Sequence, residues 1–498
     1  MKRLGSFSRM PVMVAVTVAT LLAGCSLQPI YERPPLPVPP QLPSGGVYPL
    51  ANGEPVPVVR WQDVFTDPRL QRLIDRALLD NRDLRVAAAS IARTQALYRI
   101  QRASLLPEID AQAGVTRAER SSSGTTTMAG STGTSRASAG STVSSTYSVN
   151  VGTTAFEIDL FGRVRSLGDA ALNRYFATEA AAQTTRLLLV GAVADAWLTY
   201  ASDRSLLAIA ERTAESAGRS VELTRQRLRG GVAPRTDLRQ AELILATAQA
   251  DLARLQTALA QDVHALQLLV GSPVGAGLLP ESIEAAGLTL SDVPAGLDSA
   301  VLLRRPDVAQ AEYNLLAANA DIGVARAELF PRVSLTAVVG FASNTLGSLF
   351  DSGAFTWQVA PGIRYPIFRA GAAQATVEAS RAQRDGLVAS YERTIQTAFR
   401  EVADALARRG TIDAQLAAGQ RLLEASLDNF RLSDARYRNG VSSYLQTLDA
   451  QRSLYTAERS LVQTVLAQAS MRVAFYRTLG GDQLGDQLRS GQPGANSR

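Results

Sequence analysis

The chain carries one half-length unit written twice, and this duplication limits what it can fold into more than any other feature. "RLRGGVAPRTDLRQAE" (Arg227 to Glu242) and "RYRNGVSSYLQTLDAQ" (Arg436 to Gln451) share Arg-x-Arg-x-Gly-Val, with Ala ten residues after the glycine. Upstream, "NRDLRVAAASIARTQALYRIQRASLLP" ends at Pro107 and "RRPDVAQAEYNLLAANADIGVARAELFP" ends at Pro331, with Asp83 and Asp307 each 24 residues before the proline. "LFGR" at Phe161 matches "IFRAG" at Phe368, and 40 residues separate Gly231 from Gly271 and Gly440 from Gly480. Self-similarity of this kind marks tandem structural duplication. The repeated unit reads as helix, two strands, very long helix, turn, helix.

Phe161 to Leu228 contains no proline and is rich in Ala, Leu, Arg, Glu and Gln, all strong helix formers. Unbroken, it would reach roughly 100 Å at about 1.5 Å per residue, which no globular core requires. Beyond the first turn Leu238, Ala241, Leu245, Ala248, Leu252, Leu255 and Leu259 form a heptad seam, and Ala450, Leu454, Ala457 and Leu461 repeat it before the pattern drifts. An ordinary helical bundle has the same signature, so the helices alone do not decide the fold.

The segments between the helices narrow it. "PRVSLTAVVGF" puts Val333, Leu335, Ala337, Val339 and Phe341 on one face, and "FTWQVAPGIRYPI" does the same for Phe355, Trp357, Val359, Pro361, Ile363, Tyr365 and Ile367, a strict period of two. The first half has a weaker pair, Ile109 to Val115 and Tyr147 to Ala155, whose second member changes parity near Ala155; a bulge or an exit from the bilayer accounts for the switch. Segments of about ten residues suit tilted transmembrane strands, apolar toward lipid and polar toward a lumen. Trp357 and Tyr365 are placed to sit at headgroup level. Four strands cannot close a barrel, and lipid does not tolerate an open edge, so oligomerisation follows. The competing reading is a water-soluble hairpin layer backed by helices.

The first residues read as an export signal: Lys2, Arg3 and Arg9, a short apolar run from Pro11 to Ala23, then "LLAGC". Leu-x-small-small-Cys resembles the bacterial lipobox, which would leave Cys25 carrying diacylglycerol and an N-acyl chain, with Ser26 after it as in lipoproteins sent to the outer membrane. "PIYERPPLPVPPQLP" follows as an extended spacer. Cys25 is the only cysteine and His264 the only histidine, so a disulfide framework and a His/Cys metal cluster are excluded within one chain. The formal charge is +6, but Lys and Arg are interleaved with acids, so no basic patch points to nucleic acid. His264, on a helix in "QDVHALQ", reads as a surface or seam residue, and no catalytic triad or dyad is recognisable.

With "TTAFEIDLFGR", "LLRRPDV", "ARAELFP", "TAFREVADALARRG", "RYRNGVSSYLQTLDAQRSL" and the lipobox in this order, the chain from Cys25 to about Gly481 resembles the outer-membrane factor family. These are the TolC-like channels of tripartite export systems, and the closest likeness is to the lipoprotein OprM-type branch. The resemblance implies an α+β membrane protein whose internally duplicated protomer has four transmembrane strands and very long helices. It implies a homotrimer with a 12-stranded barrel continuous with a 12-helix coiled-coil tunnel, set in outer-membrane lipid. A periplasmic adaptor and an inner-membrane pump are the implied partners, and no cofactor is implied beyond the lipid on Cys25.

On that pattern Gly231, Val232, Gly440 and Val441 reverse the long helices at the distal end and face the adaptor. Leu445 and Asp449, four apart and so on one helix face, would line the pore as an apolar ring and a carboxylate ring, blocking by dewetting and attracting cations. Asp237 would link to Tyr437, with Thr236 beside it, holding the end shut. Where the family pattern has a latch arginine this chain has Ser442, leaving Arg235, Arg436 and Arg438 as substitutes. The leading expectation is a passive efflux duct for small toxic compounds; no phosphate-binding loop of the G-x-x-x-x-G-K-[ST] form supplies energy. A channel for secreted polypeptides and a trimeric surface stalk or adhesin remain as alternatives.

The expected organisation is a signal peptide over 1–24, a lipidated N-terminus and Pro-rich spacer over 25–60, first-repeat helices over 61–106 and a first β-hairpin with a polar outer loop over 107–161. A long helix pair over 162–271, an equatorial linker over 272–301, a second-repeat helix over 302–330, a second hairpin over 331–368, a second long pair over 369–481 and a flexible tail over 482–498 complete it.

Overall fold

The computed structural model describes residues 26–49, 60–121, 141–287 and 298–481. Cys25 with the signal peptide, the polar loop over 122–140 and the tail over 482–498 lie outside the described residues. The two halves share an order of helix, two strands and two long helices, and the first half begins with one helix more. In the first the elements are α1 (Pro68–Asp80), α2 (Arg82–Ala103), β1 (Asp110–Ser121), β2 (Ser141–Ile158), α3 (Arg163–Arg229) and α4 (Arg235–Val270). In the second they are α5 (Pro306–Ala327), β3 (Arg332–Ser343), β4 (Phe355–Arg364), α6 (Ala372–Arg438) and α7 (Tyr444–Thr478).

Two pairs of helices keep the duplication to the residue. α3 and α6 are both 67 residues long, and α2 and α5 are both 22. In each half one side chain ties the end of the last long helix to the start of the second-repeat or first-repeat helix. Asn81 caps α2 through Oδ1, which accepts from the Asp83 and Leu84 N–H groups, and its Nδ2 donates to the Leu269 carbonyl at 2.8 Å. At the matching place Arg305 donates to the Thr478 carbonyl at 3.1 Å, forks onto Asp307 and reaches Glu401 at 2.8 Å. Leu269 and Thr478 each precede the closing glycine, Gly271 or Gly480, by two residues.

The described residues fall into two compact units. One, built from 26–32, 94–174 and 315–386, holds the sheet. Its strands lie antiparallel in the order β1-β2-β3-β4. The parity change near Ala155 is a bulge: the register runs Val151 to Val339 and Thr153 to Ala337, then resumes with Phe156 on Leu335 and Ile158 on Val333. One extra residue on β2 therefore keeps the apolar set on one face of the sheet. Ala155 takes a φ of 57° there, and its N–H donates to Thr336 Oγ1. Ile109, Val115, Val339, Phe355, Val359 and Ile363 are all exposed along that face. Phe161 stacks on Phe330 with centroids 4.7 Å apart, and Arg174 pairs with Asp321, joining α3 to α5.

The other unit, built from 33–93, 175–314 and 387–481, holds the main core. Leu70, Leu73 and Ile74 of α1 pack fully buried with Trp197, Leu198, Leu266 and Phe475, each such side chain contributing roughly 1.5–3 kcal/mol. The Trp197 indole donates to the Leu278 carbonyl at 3.0 Å. The Pro-rich stretch departs from the expected free spacer. It is extended, but Leu42 is buried in the core with Leu36, Val38 and Tyr48 against it, Ser299 donates to the carbonyls of Pro39 and Pro40, and Gln41 bridges Asp298. Apolar side chains between the prolines give it something to bury, and a proline-rich strand has few N–H groups to satisfy. Gly410 of α6 sits close by, where a Cβ would collide with the Val47 carbonyl oxygen.

Candidate functional site at the helix turns

Both turns close in the same way. Gly231 and Gly440 have φ of 72° and 73°, a left-handed conformation that glycine takes without penalty. The Gly231 N–H donates to the Leu228 carbonyl and the Val232 N–H to the Arg227 carbonyl; Gly440 and Val441 donate likewise to Tyr437 and Arg436. This pair of bonds is the Schellman cap, and it explains why the repeat conserves glycine followed by an apolar residue. Val232 and Val441 point outward, 70% and 67% exposed, leaving an apolar side chain at each tip.

Behind the turns, α3, α4, α6 and α7 share a small core of Val221, Leu238, Ala241, Tyr437, Tyr444 and Leu448. The sequence-derived seam supplies part of it: Leu238, Ala241, Ala248 and Leu255 are buried along α4. The rings of Tyr437 and Tyr444 meet at 5.1 Å, and burial pushes the Tyr444 phenol up to about 12. Tyr437 is held from the first half. Arg227 lies over its ring at 4.5 Å and donates to its carbonyl at 2.9 Å, while its hydroxyl lies 3.4 Å from Thr224 Oγ1.

Within the protomer the polar partners of Tyr437 are thus Arg227 and Thr224. Among the described residues no hydrogen bond joins the expected pair, Asp237 and Tyr437; Asp237 is half-buried in the first turn of α4, where burial raises its pKa and the nearby Arg227 charge opposes the rise. Thr236 is exposed beside it. Arg438 is paired with Asp434 on its own helix at 2.8 Å, and Arg235 and Arg436 are exposed. Ser442 has its Oγ buried without a hydrogen-bond partner. The sequence does not single out Arg227, although it heads the repeated Arg-x-Arg-x-Gly-Val; a motif gives no sign of which residue in it crosses to the other half.

Leu445 and Asp449 are both exposed, on a face of α7 turned about 100° from the buried Tyr444 and Leu448. Trp357 and Tyr365 are 71% and 56% exposed, in line with the apolar row of the sheet. Among the described residues no helix is long and apolar enough to cross a membrane.

The family profile described as "Outer membrane efflux protein" matches residues 73–272 and 297–481. The chain belongs to the outer membrane efflux protein family. It is 42% identical over 470 residues to the Toluene efflux pump outer membrane protein TtgC of Pseudomonas putida, covering 94% of each chain. To Outer membrane protein OprJ of Pseudomonas aeruginosa it is 38% identical over 469 residues, covering 94% of this chain and 95% of that one. Among solved structures it is similar to the open state of the Neisseria gonorrhoeae MtrE outer membrane channel, with 35% identity, a TM-score of 0.79 and coverage of 92% and 98%. It is also similar to the outer-membrane channel OprN, with 28% identity, a TM-score of 0.81 and coverage of 92% and 99%. This chain is an outer-membrane efflux channel protein, and the family is one of transport proteins rather than enzymes. Its α+β fold, four strands and long helices in two repeats, is theirs.

Proposed function

We propose that three copies of this chain form a passive exit duct that spans the outer membrane and reaches into the periplasm, where an adaptor docks at the helix turns and a separate inner-membrane pump supplies the energy. One observation carries this reading. The sheet ends in β1 and β4, each paired on one side only, while its outward row is apolar from Ile109 to Ile367. An apolar sheet with two open edges is unstable in lipid unless neighbouring copies complete it, and three times four strands gives an even-numbered barrel of ordinary size.

The cargo on this reading is small toxic organic compounds and drugs, the class named in the relatives' titles through toluene, solvent and antibiotic. The duct carries out no catalysis and holds no cofactor. Leu445 and Asp449 form its narrowest rings, Arg227 and Tyr437 hold it closed, and the adaptor opens it by binding the open arrangement more tightly. Cys25 carries the lipid anchor.

Two measurements test this together. Purified mature protein in detergent should have the mass of a trimer and give single-channel currents in planar bilayers. A deletion strain should become drug-sensitive and recover with the wild-type gene. A folded monomer without conductance refutes the duct.

A further inference from the structure

Beyond the turn latch, a further tyrosine of the second half is held across the boundary between halves. About three helical turns beyond Tyr444, Tyr455 of α7 donates to Asp251 of α4 at 2.6 Å. Arg459 lies over the Tyr455 ring at 5.3 Å and 3.5 Å from the same carboxylate, which Arg254 also approaches at 3.5 Å. Nearby, Arg212 of α3 meets Glu458 of α7 at 3.4 Å. The Asp251 side chain is only 18% exposed, and burial together with Asp251 pushes the phenol up to about 12, so it stays a donor.

The duplicated scaffold does not require this cluster. Gly231 and Gly440 set the halves 209 residues apart, and the first-half positions matching Tyr455, Glu458 and Arg459 are Ala246, Gln249 and Ala250. Those matching Asp251 and Arg254 in the second half are Ser460 and Gln463. Helices of 36 and 35 residues thus form in the two halves, each without the other's side chains at these positions. At the turn and between it and the cluster, Ser442 Oγ and Gln451 Oε1 are buried without hydrogen-bond partners, which weakens the closed arrangement.

Resting on the reading of the turns as a gate, we propose that Asp251 and Tyr455 are positioning residues forming a second, upstream clasp, so that the channel opens in two ordered steps. Release of Arg227 from Tyr437 frees only the distal stretch of α6 and α7. Release of Tyr455 from Asp251 lets the helix pair move as a whole.

Single-channel recording of the full-length protein tests the order. Tyr455→Phe keeps the ring and the Arg459 stack and deletes one hydroxyl; Asp251→Asn keeps an acceptor for the phenol and is the conservative control. Arg227→Met alone should add a partial conductance level. Adding Tyr455→Phe should shift occupancy from that level to a larger one by roughly tenfold, the equivalent of one charge-assisted hydrogen bond, with Asp251→Asn giving a smaller shift and Tyr455→Phe alone staying closed. An unchanged level in the double variant overturns the clasp while leaving the gate at the turns intact. If Arg227→Met has no effect on conductance, the gate reading itself fails, and the ordered opening fails with it.

Discussion

Replacing Arg227 by methionine tests the latch most directly, because it keeps the apolar stem and removes only the guanidinium. Two interactions are lost. The hydrogen bond from the cation to the Tyr437 carbonyl is 2.9 Å long and part-buried, in a class that contributes about 1.5 kcal/mol or more. The guanidinium over the Tyr437 ring at 4.5 Å contributes about 0.5–1 kcal/mol at such a site. Together the closed arrangement loses about 2–3 kcal/mol per protomer, and one tenfold step in an equilibrium is about 1.4 kcal/mol. Opening should become roughly 30- to 150-fold more favourable if the protomers move independently, and more so if they move together. The assay is open probability in planar bilayers at fixed voltage, with Arg227→Lys as a control that keeps the charge but not the planar fork. Open probability within about threefold of wild type for Arg227→Met would show that Tyr437 is merely packed, not held, and the latch would have to be sought elsewhere.

Arg305→Met should lower stability by roughly 2–4 kcal/mol, below the full range for a broken buried pair because Asp307 and Glu401 are partly solvated; Asn81→Ala at the matching tie should cost about half as much, and detergent-phase thermal melts compare the two. Burial, helped by Asp203, lifts Asp262 to about 6 from 3.8, so its contribution to stability is full below its ordinary range and is lost as pH rises through about 6. Asp262→Asn should therefore melt higher than wild type near pH 7.5 and match it near pH 4, and equal melting at both refutes the assignment. Asp449→Asn should reduce cation preference, read as a smaller reversal potential under a KCl gradient, with little change in melting temperature because Asp449 is exposed.

The repeat, the helix lengths, the seam on α4 and the alternation in β3 and β4 all follow from local rules, and so they are legible in one dimension. Period and composition fix which face of an element is apolar, and the repeated glycines fix where the chain must reverse. Even the bulge at Ala155 shows as a break in alternation. The partners of polar side chains do not show in this way. Asn81 and Arg305 do the same work in the two halves with unlike chemistry, and the proline stretch reads as a spacer until Leu42 is seen in the core. At the turns, which residue holds Tyr437 depends on how α3 and α6 are rotated against each other. That rotation is set by packing summed over many residues, and it brings Arg227, 210 positions away, to a ring for which Asp237 had seemed the natural partner. Sequence alone determined what each helix and strand would be and which side of it would be apolar. The tertiary structure alone decided which charges meet, because a meeting between side chains far apart in the chain belongs to no local pattern.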